Sequence, residues 1–123
     1  VSIVSSLLFE KNAEHTIQLV DETFATYNNL TTQERGFLHA YKGKSVLIKL
    51  MSIPPSDSPI FREQIMTLLE EADYELNKAI SLYPSMINIY FDLESIYRLR
   101  GDIDKMEHVY RSYMNAATPD DNQ

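Results

Sequence analysis

Cysteine and tryptophan are absent from this chain of 123 residues, and only three glycines are present. Without cysteine, disulfide bonds, thiolate metal sites and cysteine nucleophiles are excluded. Gly36, Gly43 and Gly101 lie far apart, so the sequence has no glycine-rich loop of the kind that cradles phosphate groups. These absences exclude enzymes that depend on a cysteine nucleophile, a thiolate metal site or a glycine-rich phosphate loop.

Basic residues are also scarce. The chain has 18 acidic and 11 basic residues, which give a net charge of −7. An acidic surface repels the phosphate backbone of nucleic acids and the anionic face of a membrane. We therefore expect neither nucleic acid nor a membrane surface as a partner.

No run of apolar residues approaches the roughly 20 needed to span a bilayer. The segment Val1–Phe9 is mildly apolar, but it lacks the basic start and the cleavage motif of a signal peptide. It is expected to be the end of an upstream helix if the chain is part of a longer one. Together with the lack of cysteine, this favours a cytoplasmic location.

What the sequence does contain is a helical spacing of apolar residues. From Asn12 to Tyr27 they recur at steps of three and four, which predicts one apolar helix face. Thr31 and Glu34 have the spacing of a capping box, which predicts the start of a second helix. The apolar face of the first helix is Ala13, Ile17, Val20, Phe24 and Tyr27. That of the second is Phe37, Ala40, Tyr41, Leu47, Ile48 and Met51.

A proline-rich segment, Pro54–Pro59, then interrupts the periodicity, because proline fixes φ and removes a backbone donor. Ser58 is predicted to cap a third helix with Pro59 at its first position. That helix should run from about Ile60 to Leu82 and end before Pro84. Its apolar stripe is Ile65, Leu68, Leu69, Ala72, Leu76, Ala79, Ile80 and Tyr83.

Two shorter helices are predicted in the remaining sequence. Ser85 is expected to cap the fourth, which stops at Gly101, and Asp102 is expected to cap the fifth. The tail 118–123 is polar and should fray. Apolar positions of the fourth helix are Ile89, Tyr90, Leu93, Ile96 and Tyr97. Those of the fifth are Ile103, Met106, Tyr110, Tyr113 and Met114.

No run alternates with period two for long enough to indicate a strand, so the fold class is all-α. Five to six helices with short connections are expected to form antiparallel hairpins. An offset of 34 residues superimposes the third helix on the fifth: Leu69 meets Ile103, Ala72 meets Met106 and Leu76 meets Tyr110, while Ala79 meets Tyr113 and Ile80 meets Met114. Such self-similarity indicates a helical repeat.

The spacing within the repeat resembles that of the tetratricopeptide repeat (TPR) family. Ala72-x-x-x-Leu76-x-x-Ala79-x-x-x-x-Pro84 is similar to the second helix of that motif. Tyr90-x-x-Leu93-Glu94-x-x-Tyr97-x-x-x-Gly101-Asp102 is similar to the first helix and the following turn. The resemblance implies hairpins stacked as a short right-handed superhelix.

The resemblance covers residues 69–119 best and implies a single domain over 1–123 with a loop insertion around 52–59. Gly36–Leu50 follows the first-helix pattern loosely. Glu94, Met106 and Tyr113 depart from the family pattern, which has small residues at these positions. Bulky residues there should open the hairpin or shift the helix crossing.

Candidate chemical groups are few. His15, His39 and His108 lie on different predicted helices, and none has a second ligand four residues later, so no metal site is expected. The acidic cluster Glu70, Glu71, Asp73 and Glu75 is expected to form a solvated helix face opposite the apolar stripe. We therefore expect no catalytic residue, no metal and no cofactor, and a protein that is not an enzyme.

In the family it resembles, the first helices of successive repeats line a concave groove that holds a peptide or a helix. By that resemblance the partner-binding groove would be lined by Phe37, Tyr41, Lys44 and Ile48 and by Asn88, Phe91, Asp92, Ser95 and Arg98. This mixed surface of apolar and polar residues suits an amphipathic or apolar segment of another protein.

The last predicted helix shows apolar residues where a repeat array needs a polar end. Tyr113 and Met114 are accordingly candidates for self-association or for contact with a neighbouring domain. The sequence thus favours a non-catalytic scaffold, adaptor or chaperone-like module that binds another protein. The alternative is a structural, regulatory or oligomerisation domain of a larger protein with no free ligand.

Overall fold

Five α-helices form the protein in a computed structural model that describes the backbone of residues 3–117 and the side chains of residues 11–117. They are α1 (Ile3–Thr26), α2 (Thr32–Ser52), α3 (Pro59–Leu82), α4 (Ile87–Arg100) and α5 (Ile103–Ala117). The described residues contain no strand, and the predicted all-α class is confirmed. The predicted polar tail 118–123 lies outside the described residues.

The first helix differs from its prediction in length. It begins at Ile3 rather than near Asn12, so residues 3–11 belong to this helix and are not the end of a separate one. Nothing between Phe9 and Asn12 breaks a helix, since no glycine or proline occurs there. None of the helices in the described part of the chain is both long and apolar enough to cross a bilayer.

Two predicted helix starts are confirmed in atomic detail. Before α2, the Glu34 amide donates to Thr31 Oγ1 at 3.1 Å, and the Thr31 amide donates to Glu34 Oε1 at 2.8 Å. Before α3, the Phe61 amide donates to Ser58 Oγ at 3.1 Å, and Pro59 is the first helical residue. These bonds satisfy amides that have no partner within the helix.

The turn between α4 and α5 also follows the prediction. Gly101 adopts the left-handed conformation with φ of 71°, which glycine adopts at little cost. The Asp102 amide bonds the Tyr97 carbonyl at 2.9 Å, and Asp102 Oδ1 accepts from the Lys105 amide at 3.2 Å. The predicted cap of α4 is wrong, because Met86 precedes the helix and makes no side-chain cap bond. The Met86 amide donates to the Tyr83 carbonyl. Ser85 therefore lies before the helix start and does not cap α4.

Substantial contacts in the described chain all join helices that are consecutive in sequence, with the α2–α3 contact the most extensive. Gly36 faces Ala79 and Gly43 faces Leu76. From Gly36 to Gly43 the residue number increases along α2, while the facing residue number on α3 decreases. The two helices therefore run antiparallel. A Cβ at Gly43 would lie 2.6 Å from Leu76 Cγ. The glycine therefore sets the close approach of this hairpin.

The core lies along α2, α3 and α4, where Leu76, Leu93, Ile96 and Val46 are the largest fully buried side chains. Several predicted core positions are exposed instead. Met51 faces solvent because it lies beside the proline-rich connection, where the hairpin ends. Tyr27, expected on the apolar face of α1, is likewise exposed at the end of that helix.

A polar cluster attaches α4 to α3. Asp73 Oδ1 accepts from the Tyr97 hydroxyl at 2.8 Å, and its Oδ2 accepts from Arg100 Nη1 at 2.8 Å. Asn77 Nδ2 donates to the Tyr97 hydroxyl at 3.1 Å. Burial, and then the bond to the Asp73 carboxylate, raises the pKa of Tyr97 to about 12. Asp73 therefore connects two hairpins and is not part of a solvated acidic face.

Candidate partner-binding groove

The residues predicted to line the groove lie on α2 and α4, and an ion pair joins these helices. Lys44 Nζ on α2 lies 3.0 Å from Asp92 Oδ2 on α4. Asp92 Oδ2 is shielded from solvent and makes no well-aligned hydrogen bond with any described residue, so the contact is an ion pair without hydrogen-bond geometry. The two sets of predicted residues therefore come together at Lys44 and Asp92.

On one side of this ion pair lies an open cavity of about 440 Å³. We call it the α2–α4 cavity. Phe37, Tyr41, Lys44 and Asn88 are the predicted groove residues that line it. Its other lining residues come from α2, from the α3–α4 connection and from the start of α4: Ala40, Tyr83, Ser85, Met86, Ile87 and Ile89.

Phe37 and Tyr41 have different environments within the α2–α4 cavity. The ring of Phe37 packs edge-on against Tyr83, with ring centroids 5.3 Å apart and an interplanar angle of 80°. Tyr41 remains 55% exposed although it is a large aromatic residue. Tyrosine is enriched where proteins contact partners, because its rigid ring offers much contact area at low entropic cost. Tyr41 is therefore the side chain of this cavity best placed for a partner.

Other predicted groove residues lie on a different surface. Phe91 and Arg98 line a cavity of about 500 Å³ between α4 and α5, which we call the α4–α5 groove. Ile48, Asp92 and Ser95 line neither cavity, and the Ser95 hydroxyl donates to the Phe91 carbonyl at 3.1 Å. The structure thus divides the nine predicted residues between two surfaces and the helix faces beside them.

The charges of the predicted groove are partly neutralised within the chain. Arg98 bonds Glu94 one turn earlier on α4, and Lys44 faces Asp92. Arg98 is 69% exposed, and a pair of this kind contributes little stability, on the order of 0–1 kcal/mol. Arg98 can therefore exchange Glu94 for a charge of a partner at small cost, whereas Lys44 is held by the shielded oxygen of Asp92.

Of the residues predicted for self-association, Tyr113 is half-buried and Met114 is exposed. The Tyr113 ring packs against Phe91, with centroids 5.0 Å apart, and lies 6.5 Å from that of Tyr90. Tyr90 is buried, its hydroxyl donates to the Pro84 carbonyl at 2.9 Å, and burial raises its pKa. Tyr113 thus forms one wall of the α4–α5 groove.

The expectation that Glu75 lies on a solvated face is wrong. Glu75 is buried, and its Oε1 lies 2.7 Å from His39 Nδ1 on α2. The His39 ring also packs against Phe24 of α1, with ring centroids 4.9 Å apart. Because His39 is 36 residues from Glu75 in sequence, helical periodicity within α3 gave no sign of the pair.

Lys42 extends this polar contact to α1. Its Nζ bonds Asp21 Oδ1 at 2.7 Å and lies 3.9 Å from Glu75 Oε2. Burial lowers the pKa of Lys42, but the bond to Asp21 and the charge of Glu75 outweigh it and leave that pKa raised. These contacts join α1, α2 and α3 away from both cavities, so we assign them to stability.

Sequence reasoning missed Tyr83 and Met86 in the α2–α4 cavity and Glu107 in the α4–α5 groove. Tyr83 belongs to the predicted apolar stripe of α3, and the following Pro84 is the only sign in the sequence that it lies at a helix end. Among the described residues no three histidine or carboxylate side chains come together as a group that could hold a metal ion.

Comparisons with protein-family models, curated proteins and solved structures gave no match to this chain.

Proposed function

We propose that this chain is a non-catalytic protein–protein interaction module whose α2–α4 cavity holds a peptide or helix of a partner protein. The observation that carries the proposal is the exposed ring of Tyr41 in an open cavity of about 440 Å³. Large apolar side chains in a concave surface are the usual anchors of a bound peptide.

The polar groups near this cavity favour binding over catalysis. His39 faces Glu75 and Phe24 rather than either cavity. Lys44 is paired with Asp92 at the cavity edge. A charged pair beside apolar walls suits recognition of a segment that combines apolar and polar residues.

A TPR-like array is the architecture that we propose for this module. Its support is the antiparallel order of α2 and α3, the glycine at their close approach, and the left-handed turn at Gly101. In such an array α2 and α4 are the first helices of successive hairpins, which places the α2–α4 cavity on the concave side.

The proposal is tested by photo-crosslinking from the cavity. A photoreactive phenylalanine analogue replaces Tyr41 in one variant and Tyr74 in a matched control, in extract of the native cells. Tyr74 is 62% exposed, on α3, and lines neither cavity. A protein segment crosslinked from position 41 and not from position 74 is the expected result.

The captured segment is then synthesised and its affinity measured by fluorescence anisotropy. Tyr41→Ala should weaken binding about tenfold or more, as expected for an aromatic anchor, whereas Tyr74→Ala should leave affinity within about twofold. Equal effects of the two substitutions, or no crosslink from position 41, would favour the alternative of a structural domain without a free ligand.

A further inference from the structure

The α4–α5 groove is a second concave surface that the proposed function does not use. Its walls expose an unusual amount of apolar side chain, since Ile103 is 70% exposed, Tyr110 is 60% exposed and Phe91 is 54% exposed. Glu94, Arg98 and Glu107 stand among these apolar residues. Contiguous exposed apolar surface rimmed by polar groups marks an interaction site.

The internal repeat shows what kind of element fits this surface. Leu69 and Leu76 of α3 are the repeat equivalents of Ile103 and Tyr110 of α5. Leu69 is 3% exposed and Leu76 is 0% exposed, because α3 packs between α2 and α4. Within the described chain, α5 has a substantial contact with α4 alone. The groove is therefore the surface that one further helix would cover, as α4 covers the preceding hairpin.

The contacts of α4 define how such a helix is held. On α3, Asp73 receives the Tyr97 hydroxyl and the Arg100 guanidinium, each at 2.8 Å. The residue 34 positions after Asp73 is Glu107, which lines the α4–α5 groove. The repeat thus places a carboxylate at the equivalent point of both surfaces.

Glu107 is accessible to a new partner. Its carboxylate bonds Arg111 at 2.8 Å on the same helix, with side chains 62% and 73% exposed. A pair of this kind on a helix surface contributes little stability. A guanidinium or hydroxyl from a docked helix can therefore replace or join Arg111 at small cost.

From these observations we infer that the α4–α5 groove binds an amphipathic helix of another protein whose contact face resembles that of α4. That face carries Tyr90, Leu93, Tyr97 and Arg100, at steps of three, four and three residues. The partner helix has apolar or aromatic residues at the first three positions and a basic residue at the fourth, which pairs with Glu107. The net charge of −7 also favours a basic helix.

A second copy of this chain does not supply that helix. The face in question belongs to α4, and in each copy Tyr90, Leu93 and Tyr97 are already buried. The exposed apolar residues of α5 itself, Ile103, Tyr110 and Met114, lack a basic residue placed as Arg100 is on α4. A second copy thus offers no exposed face of this kind, and the occupant that we infer is a helix of a different protein.

The test uses a fluorescein-labelled synthetic peptide with the sequence of residues 87–101, which carries the face of α4, and the full chain as receptor. Glu107→Lys is the groove variant. Glu70→Lys is the matched control, because Glu70 is an exposed α3 residue outside both cavities and the charge change is identical. Circular dichroism verifies that each variant retains its helices.

Glu107→Lys should weaken peptide binding about fivefold, near the upper end for an accessible ion pair. Glu70→Lys should leave it unchanged. A peptide with Arg100→Glu should bind the Glu107→Lys variant better than the original peptide does, which would assign the pairing to this groove.

Three results would overturn the inference. One is the absence of binding at peptide concentrations up to about 1 mM, the weak limit for a specific contact. Another is binding that Glu107→Lys leaves unchanged, since the peptide would then have displaced the chain's own α4 from Asp73. The third is a dimer in sedimentation that Tyr110→Ala dissociates, because a second copy would then fill the groove. None of these outcomes bears on crosslinking from Tyr41, so this inference and the proposed function fail separately.

Discussion

The hairpins α2–α3 and α4–α5 carry the same apolar pattern but differ in what covers them. The first is packed by α1 on one side and by α4 on the other, whereas the second has a substantial contact with α3 alone in the described residues. As a result Leu76 is fully buried, and its repeat equivalent Tyr110 is 60% exposed. An apolar residue in a repeat is core or interaction surface according to its neighbours, and its own spacing does not distinguish the two.

The sharpest test of this comparison truncates the equivalent residues of the two hairpins. Leu76→Ala should lower the free energy of unfolding by about 3 kcal/mol, because it removes buried methyl groups and leaves a cavity. Tyr110→Ala should change it by less than about 0.5 kcal/mol, as is usual for an exposed residue. Urea denaturation followed by circular dichroism measures both. Similar losses for the two variants would show that α5 is as well covered as α3.

The pH dependence of stability tests the contacts of Tyr97, which join the two hairpins. Its pKa is about 12 in the fold against 10.0 for an unperturbed tyrosine. Below pH 10 the hydroxyl is protonated in both folded and unfolded chains. Between pH 10 and 12 the unfolded chain loses this proton while the folded chain keeps it. The free energy of unfolding should therefore fall with rising pH in that window.

The expected loss from Tyr97 is about 2 kcal/mol over that range, and Tyr97→Phe should remove this part of the slope. Urea denaturation at a series of pH values provides the measurement. Tyr41→Phe is the control, because Tyr41 is exposed and its hydroxyl makes no described bond. A slope unchanged by Tyr97→Phe would show that this hydroxyl titrates normally in the fold.

Substitutions of glycine should have smaller effects on the two hairpins. Gly43→Ala should lower the free energy of unfolding by about 1–2 kcal/mol, since crowding against Leu76 outweighs the better helix propensity of alanine. A Cβ at Gly101 would meet no atom within 4 Å. Gly101→Ala should therefore lower the free energy of unfolding only through left-handed backbone strain, by about 1 kcal/mol. The double variant Gly43→Ala/Leu76→Ala should be less destabilised than the sum of its single changes. Strict additivity would contradict the steric explanation.

Local features of the fold were predictable from sequence because their causes are local. The capping box of Thr31 and Glu34, the Ser58–Pro59 start and the Gly101–Asp102 turn each depend on residues within one helical turn. The buried pair of His39 and Glu75 was not predictable in this way, since its members lie on different helices. Periodicity likewise did not reveal that the proline-rich connection leaves Met51 exposed.

The candidate site was predicted only in part for the same reason. The resemblance named residues along the first helix of each hairpin, and Phe37, Tyr41, Lys44 and Asn88 do meet at one cavity. Phe91 and Arg98 face α5 instead, because a face of α4 is shared between two surfaces. Which surface a residue joins depends on how the hairpins cross, and bulky residues such as Tyr113 influence that crossing.

The arrangement in which each helix packs mainly on its neighbours in the chain also has a consequence for folding kinetics. Contacts between segments close in sequence require little loop-closure entropy, and proteins dominated by them fold quickly. The α2–α3 hairpin has the most extensive contact and the close approach at Gly43, so we expect it to form first. The remaining helices then add outward from this pair, and amide hydrogen exchange should be slowest in α2 and α3 and fastest in α5.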